Sequence, residues 1–160
     1  MKKEEKTKLL TVDQARMRLE KQCARAEHCT YELRQKLYRW RISASDASNI
    51  IDSLIENRFV DDERFARAFI NDKIRFARWG QRKIHAALLQ KRIPTEMTQR
   101  LLGEIDPEFV VANLEEILEQ KARTIDNVRT YEGRTRLFRY AISRGYLPDD
   151  VSRAIRGKYL

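Results

Sequence analysis

Apolar residues recur along this chain every three or four positions, which is the spacing of one buried face of an α-helix. The pattern is clearest from Phe59 to Ile93, where Asp61 is an N-cap signal and Trp79-Gly80 marks a break. This segment is therefore predicted to form two helices. At 100° per residue, the first should bury one face. That predicted face consists of Phe65, Ala66, Phe69, Ile70, Ile74, Phe76 and Ala77.

Start signals predict further helices on both sides of this segment. Thr11 and Gln14 form a capping box, and Asp106-Pro107 places proline just after an N-cap aspartate. Ser43 or Ser45 is expected to cap another helix, and Thr95 a short one. A helix over about 30–40 and one opening at Leu147-Pro148 complete the pattern, so the fold class is predicted to be all-α.

The helices repeat as one unit of three. Aligning Leu33 with Ile84 and Leu137 also aligns Leu37 with Leu88 and Ala141. The predicted organisation is an arm over 1–10 and repeats over 11–59, 60–106 and 107–160. Because a three-helix unit of about 50 residues buries little area alone, neighbouring repeats should lean on each other. We expect an elongated array, curved or straight.

The same alignment brings together three helix-ending positions. Gly145 suits the left-handed residue that often ends a helix, whereas Arg41 and Arg92 stand in its place in the other repeats, and Arg58 is analogous. A left-handed arginine would cost about 1 kcal/mol. Two explanations stay open: these turns close differently, or an exposed cation there is useful.

Charge adds a candidate contact surface to this picture. The net charge is +9 over 160 residues, and the segment from Lys73 to Ile93 holds seven basic residues and no carboxylate. Solvated helix faces usually mix signs, so this pattern favours a polyanion or an acidic partner over a merely soluble face. A basic stripe is predicted opposite the apolar face, made of Arg64, Arg67, Asn71, Arg75 and Arg78.

Other chemistry has weaker support. Cys23 and Cys29 are the only cysteines, and their spacing with His28 and His85 does not fit zinc, so no metal or cofactor is predicted. The carboxylates of 61–63 are explained by helix capping better than by a nuclease metal cluster. His85 is expected to be buried and Lys73 to snorkel. Of the aromatic residues, Trp79 is the best candidate to stack on bases.

The motifs of the central segment identify the chain as similar to a known family. Residues 59–66, FVDDERFA, followed by Gly80 and Ile84 in GQRKI, resemble the RecX regulatory proteins of bacteria. The sequence TYEL at 30–33 resembles their first-repeat motif, and RGYL at 144–147 their last-repeat turn. The resemblance covers about 12–160, although the family often has glycine where this chain has Arg41, Arg58 and Arg92.

This resemblance implies a non-enzymatic regulator built from three helical repeats. Such proteins lodge in the groove of the RecA filament on single-stranded DNA and damp its ATPase and strand exchange. The expected partners are thus the RecA filament, single-stranded DNA and, more weakly, double-stranded DNA. A cytoplasmic monomer without a membrane segment is expected.

The candidate RecA- and DNA-binding residues extend beyond the central segment. They are Arg64, Arg67, Arg75, Arg78, Arg82, Lys83, Arg39, Arg136 and Arg139. An alternative is a stand-alone DNA-binding protein that sets the middle helix of a helix-turn-helix-like unit in a major groove. A groove reader needs one recognition helix, whereas the basic residues here are spread over three units, so the filament regulator is preferred.

Overall fold

The computed structural model describes residues 9–160, so the arm predicted for residues 1–10 lies outside the described residues except for its last two positions. Within this range the chain forms nine α-helices and no strand, as the periodicity predicts. The helices are α1 (Val12–Arg25), α2 (Thr30–Arg39), α3 (Ala44–Glu56), α4 (Asp62–Arg75), α5 (Gln81–Gln90), α6 (Thr95–Gly103), α7 (Pro107–Ala122), α8 (Tyr131–Ser143) and α9 (Pro148–Tyr159).

Side-chain caps explain where several helices begin. Thr11 Oγ1 accepts a hydrogen bond from Gln14 N at 3.1 Å, and Gln14 Oε1 accepts one from Thr11 N at 3.0 Å. The capping box is thus confirmed, and it satisfies two amide groups that have no partner inside the helix. Ser43 caps α3 through Asp46 N at 3.2 Å, and Asp106 caps α7 through Glu108 N at 2.9 Å.

One predicted cap is wrong. Thr95 is the first residue of α6, and Pro94 occupies the N-cap position without a side-chain hydrogen bond. The proline ring fixes φ, and Pro94 has φ −57° and ψ 138°, which is an extended conformation. Helix α6 therefore begins directly after Pro94 without a hydroxyl cap.

The chain divides into two compact units, and the first ends at Phe65. Its core is formed by apolar residues of α1, α2 and α3, with Leu19, Leu33 and Ile51 completely buried. The start of α4 is tied to α2, because Asp62 accepts hydrogen bonds from Thr30 N at 2.7 Å and from Thr30 Oγ1 at 2.8 Å. Asp62 therefore contributes a tertiary contact as well as a favourable charge at the α4 N-terminus.

The second unit runs from Ala66 to Leu160. Ile84 and Leu88 of α5 are fully buried, and so are Leu137 and Ala141 of α8. The third repeat has its own core, in which Leu118 packs with residues of α8 and α9. Because the matching residues of α2 are also fully buried, the repeat alignment predicted from the sequence identifies the inward face of all three middle helices.

The middle helices end in the same turn. The amide of Ile42 donates to Leu37 O at 3.1 Å, that of Ile93 to Leu88 O at 3.0 Å, and that of Tyr146 to Ala141 O at 3.2 Å. Phe59 and Leu54 repeat this bond after α3 at 2.9 Å. Such a six-to-one bond defines the Schellman ending, whose penultimate residue is left-handed.

Arginine occupies the left-handed position in three of these four turns. The φ angles are 58° at Arg41, 60° at Arg58 and 57° at Arg92, against 96° at Gly145. The first explanation left open by the sequence is therefore wrong, because the arginine turns close as the glycine turn does. Arg78 is also left-handed, with φ 51°, in the connection between α4 and α5.

Candidate functional site

The basic segment is divided by an early end of α4. The helix stops at Arg75, five residues before the Gly80 break that the sequence suggested, and Trp79 N donates to Lys73 O at 3.0 Å to close the turn. Phe76, predicted on the buried face, is instead 81% exposed because it follows the helix. Arg78 likewise does not continue the helical stripe. The α4–α5 loop, residues 76–80, therefore positions these side chains individually.

Three of the predicted contact arginines already pair with carboxylates. Arg64 Nε contacts Glu27 Oε1 at 2.6 Å, and its guanidinium also donates to the carbonyls of Arg58 and Phe59. In the second unit, Arg67 and Arg78 each have a carboxylate partner. Arg67 Nη2 lies 3.3 Å from Glu104, and Arg78 Nη2 lies 2.9 Å from Glu116. These cations are partly neutralised.

Arg75 and Arg82 differ from those three. Both side chains are exposed, and among the described residues no ion pair or hydrogen bond involves either guanidinium group. Arg75 is the last residue of α4 and Arg82 the second residue of α5. Within residues 9–160, the basic segment thus presents two guanidinium groups that have no ion-paired or hydrogen-bonded partner, one on each side of the α4–α5 loop.

Trp79 lies between these arginines in sequence and is surrounded by lysines. Lys83 Nζ is 4.5 Å and Lys73 Nζ 4.9 Å from the centre of its ring system, both within cation–π range. Phe69 packs edge-on at 6.4 Å between ring centroids. Lys73, which the sequence predicts to snorkel, also has its Nζ 5.3 Å from the centre of the Phe69 ring. A base that stacked on Trp79 would have to compete with these contacts.

The loop is held by the turn that follows α8. Gly80 N donates to Arg144 O at 2.8 Å, and Arg82 N donates to Gly145 O at 3.0 Å. These carbonyls satisfy amides at the N-terminus of α5, where no acidic side chain lies in the first turn. A Cβ atom on Gly80 would lie 2.3 Å from the carbonyl carbon of Gly145, so only glycine allows this approach.

Three side chains reinforce the same connection. Tyr146 Oη donates to Arg78 O at 2.8 Å, the Arg144 guanidinium donates to Ala77 O, and Asn113 Nδ2 donates to Ile74 O at 2.9 Å. Burial raises the pKa of Tyr146 to about 12, although the charges of Arg144 and Arg78 oppose the shift. The backbone at the end of α4 is therefore fixed by residues of the third repeat.

The remaining predicted contact residues lie elsewhere. Arg39 is exposed at the end of α2, and Arg136 and Arg139 are exposed on α8. His85, predicted to be buried, is only half-buried. Burial raises the pKa of the Cys23 thiol, with Lys36 opposing, which favours the protonated form that does not bind metals. Within residues 9–160, no three His, Cys, Asp or Glu side chains form a group able to hold a metal ion.

Sequence reasoning missed two kinds of partner: the glutamates that pair with the candidate arginines, and the residues that hold the α4–α5 loop. Glu104 and Glu116 lie 37 and 38 residues from the arginines they neutralise, so no local pattern connects them. The RGYL motif at 144–147 contains Arg144 and Tyr146. Its resemblance to a family motif was the one available signal, and it did not indicate that these residues contact the α4–α5 loop.

Known proteins resemble this chain both in sequence and in fold. A family model described as RecX, second three-helix domain, matches residues 61–102, which include α4, α5 and nearly all of α6. Regulatory protein RecX of Clostridium beijerinckii is 30% identical over 158 residues, covering 95% of this chain and 73% of that protein. The chain belongs to the RecX family.

Two further relatives agree with this assignment. Regulatory protein RecX of Vibrio parahaemolyticus is 28% identical to this chain, and the match covers 83% of that protein and 82% of this chain. The crystal structure of RecX from Lactobacillus salivarius superimposes with a TM-score of 0.81 over 91% of this chain and 95% of that one. At 16% identity, this likeness shows the shared fold. Matches to other clostridial RecX proteins span 47% to 59% of their length.

None of the helices within residues 9–160 combines the length and the apolar character needed to cross a bilayer.

Proposed function

We propose that this RecX-family chain regulates RecA by binding its filament on single-stranded DNA, and that it damps ATPase activity and strand exchange. Membership in a family of regulatory proteins supports the regulatory role. A binding mechanism without turnover fits the all-helical repeats. We further propose that the chain acts as a monomer in the cytoplasm, as its sequence led us to expect.

The observation that carries this proposal is the pair Arg75 and Arg82, whose guanidinium groups have no ion-paired or hydrogen-bonded partner among the described residues. They belong to a segment that contains no carboxylate between Lys73 and Ile93. Guanidinium groups without partners bind phosphate or carboxylate oxygens through paired hydrogen bonds. Because the loop between them is fixed by the third repeat, little conformational freedom would be lost when a filament surface binds.

The candidate contact residues should differ in importance. Arg64, Arg67 and Arg78 must each give up a carboxylate of this chain before they can bind the filament. Their net contribution to the binding free energy is therefore reduced. Exposed ion pairs stabilise proteins by only about 0–1 kcal/mol, which means that such an exchange is still feasible. Arg75 and Arg82 have no ion-paired carboxylate to exchange in the part of the chain that the structure describes, so they should contribute most. Lys83 contributes less directly, because its ammonium group lies over Trp79.

The proposal is tested by measuring the single-stranded-DNA-dependent ATPase and the strand exchange of a cognate RecA while this protein is added. Both rates should fall at amounts of the protein below those of RecA. The stand-alone DNA-binding alternative predicts that a large excess of competing DNA removes the effect by sequestering the protein. Unchanged RecA rates at saturating protein would exclude regulation by this route.

A further inference from the structure

The third repeat contains a basic pocket on its own surface, between the end of α7 and α8. Its volume is about 360 Å³, near the lower end of the roughly 300–1,000 Å³ found for small-ligand sites. This pocket, called the α7–α8 pocket below, is lined by Lys121, Thr124, Ile125, Arg136, Arg139 and Tyr140.

Three cations line the α7–α8 pocket, and no carboxylate does. Among the described residues, neither Arg136 nor Arg139 forms an ion pair or a hydrogen bond through its side chain. Glu119, Asp126 and Glu132 are the acidic residues closest in sequence to the lining residues, and none of them contributes to the lining. Positive charge is therefore concentrated here without an internal counter-charge, which favours an anionic ligand.

The spacing of the two arginines suits a phosphate group. Arg136 and Arg139 are three residues apart on α8, so their side chains emerge on neighbouring positions of one helix face. Two guanidinium groups at this spacing can share the oxygens of one phosphate through charge-assisted hydrogen bonds.

The negative end of the α7 dipole does not oppose this ligand strongly, because its last carbonyls are already engaged. Lys121 O accepts from Thr124 Oγ1 at 2.7 Å and from Thr124 N at 2.9 Å. Ala122 O accepts from Ile125 N at 3.1 Å. Lone pairs that would face an incoming anion are thus directed at donors of the protein itself.

The rest of the pocket is apolar and aromatic. Ile125 and Tyr140 pack against the third-repeat core and are only partly buried, so both keep surface for a ligand. Lys121 Nζ lies 5.2 Å from the centre of the Tyr140 ring, where a phosphate could draw it away or share it. A ligand that combines a phosphate with a flat, weakly polar ring system would match both parts of the site.

We infer that the α7–α8 pocket binds a nucleoside phosphate, with the phosphate held by Arg136 and Arg139 and the base against Ile125 and Tyr140. The source of this group is either a free nucleotide or one unit of a single strand. Arg136 and Arg139 are also among the candidate contact residues of the proposed function, but the inference concerns direct binding to this chain and is tested in the absence of RecA.

A neighbouring cavity shows what distinguishes this one. The cavity between α8 and α9 is also lined by two arginines, Arg134 and Arg156. However, the Arg134 guanidinium already donates to Arg129 O. The α7–α8 pocket, by contrast, has an aromatic wall and three cations. Among the described residues, these cations have no hydrogen-bonded or ion-paired partner.

The inference is tested by two-dimensional amide NMR of the full chain at about 0.15 M salt, where weak surface attraction is largely screened. The probes are deoxyadenosine monophosphate, deoxyadenosine, inorganic phosphate, a short oligothymidylate and a glutamate-rich peptide. The monophosphate should shift amides of Thr124, Ile125 and Tyr140 in a saturable way, and deoxyadenosine should shift them far less. If only the oligothymidylate gives this pattern, the ligand is a strand of nucleic acid, and the site is upheld.

Matched variants separate a site from general charge attraction. Arg136→Gln with Arg139→Gln should weaken the monophosphate or oligothymidylate affinity at least tenfold. The control, Arg153→Gln with Arg156→Gln, removes the same charge at the same spacing on α9. It should change the affinity for the same probe less than twofold. Equal losses in the two variants would overturn the inference. So would the absence of localised shifts with every probe, or equal shifts with a glutamate-rich peptide.

Discussion

At the scale of single residues, the unusual feature is that each non-glycine residue with positive φ in the described range is an arginine. Left-handed conformations favour glycine, which has no Cβ atom to clash, and asparagine, whose short side chain can hydrogen-bond locally. A cation near a helix C-terminus interacts favourably with the dipole, which offsets part of this strain. The offset is incomplete for an exposed side chain, so a contact with an acidic or phosphate-bearing partner would explain why arginine occurs there.

Replacing Arg41 with glycine should therefore stabilise the protein. Arg41 is exposed, and in the described part of the chain its side chain has no ion pair. Relief of the left-handed strain should raise the free energy of unfolding by about 1 kcal/mol, which corresponds to a melting temperature higher by about 2–4 °C. Arg34→Gly, on the exposed face within α2, is the control and should lower stability by about 1 kcal/mol. A lower melting temperature for Arg41→Gly would show that the arginine stabilises its turn.

Tyr146 should make stability depend on pH in the alkaline range. Its pKa rises from an ordinary value of 10.0 to about 12 in the folded state, mainly through burial. Because the folded state holds this proton more tightly, the stabilisation is complete below pH 10 and declines as pH rises from 10 to 12. Denaturant unfolding at pH 9 and pH 11 should show a smaller decline in Tyr146→Phe than in the parent. Equal declines would mean that Tyr146 does not titrate as proposed.

At the scale of elements, the geometry of the α4–α5 loop depends on its contact with the turn after α8. The α4–α5 loop receives hydrogen bonds and backbone packing from 144–146. A Cβ atom added to Gly145 would lie 2.4 Å from Lys83 Cβ, which shows that α5 also approaches this turn closely. The orientation of the basic residues on α5 is thus set by the third repeat as well as by their own helix.

Gly80→Ala should disrupt this contact. The added methyl group would overlap backbone atoms of Gly145 and Tyr146, which cannot move as a flexible side chain could. We expect a loss of about 1–3 kcal/mol in the free energy of unfolding, measured in urea. Gly157→Ala in α9 is the matched control, because a Cβ there meets nothing within 4 Å and alanine should stabilise the helix by about 1 kcal/mol. Similar values for both variants would contradict the contact.

At the scale of the whole molecule, the sequence predicted the helices and repeats well because both follow local rules. The alignment of Leu33, Ile84 and Leu137 found three fully buried positions, since helical periodicity determines which side faces a core. The end of α4 was missed, because apolar spacing continues through Phe76 and Ala77 although the backbone does not. What closes the helix is a left-handed Arg78 and the bonds from 144–146, which are set by tertiary contact.

The candidate contact surface was predicted only in part for the same reason. Composition located the carboxylate-free segment, but distant glutamates decide which of the candidate contact arginines in and around it are neutralised. Arg67 is paired with Glu104 and Arg78 with Glu116, whereas no described residue forms an ion pair with Arg75 or Arg82. The structure therefore selects Arg75 and Arg82, from the larger set predicted by the sequence, as the residues to mutate.

The central claim is that Arg75 and Arg82 bind the RecA filament. It is tested most directly by the DNA-dependent ATPase rate of a cognate RecA with Arg75→Glu/Arg82→Glu, compared with the parent. Both side chains are exposed, so stability should change by only about 0.5 kcal/mol per substitution. The control is Arg153→Glu/Arg156→Glu on α9, which reverses the same amount of charge. We predict that inhibition falls at least tenfold for the Arg75 and Arg82 variant and less than threefold for the control. Equal inhibition by the parent and by the Arg75 and Arg82 variant at physiological salt would contradict the account.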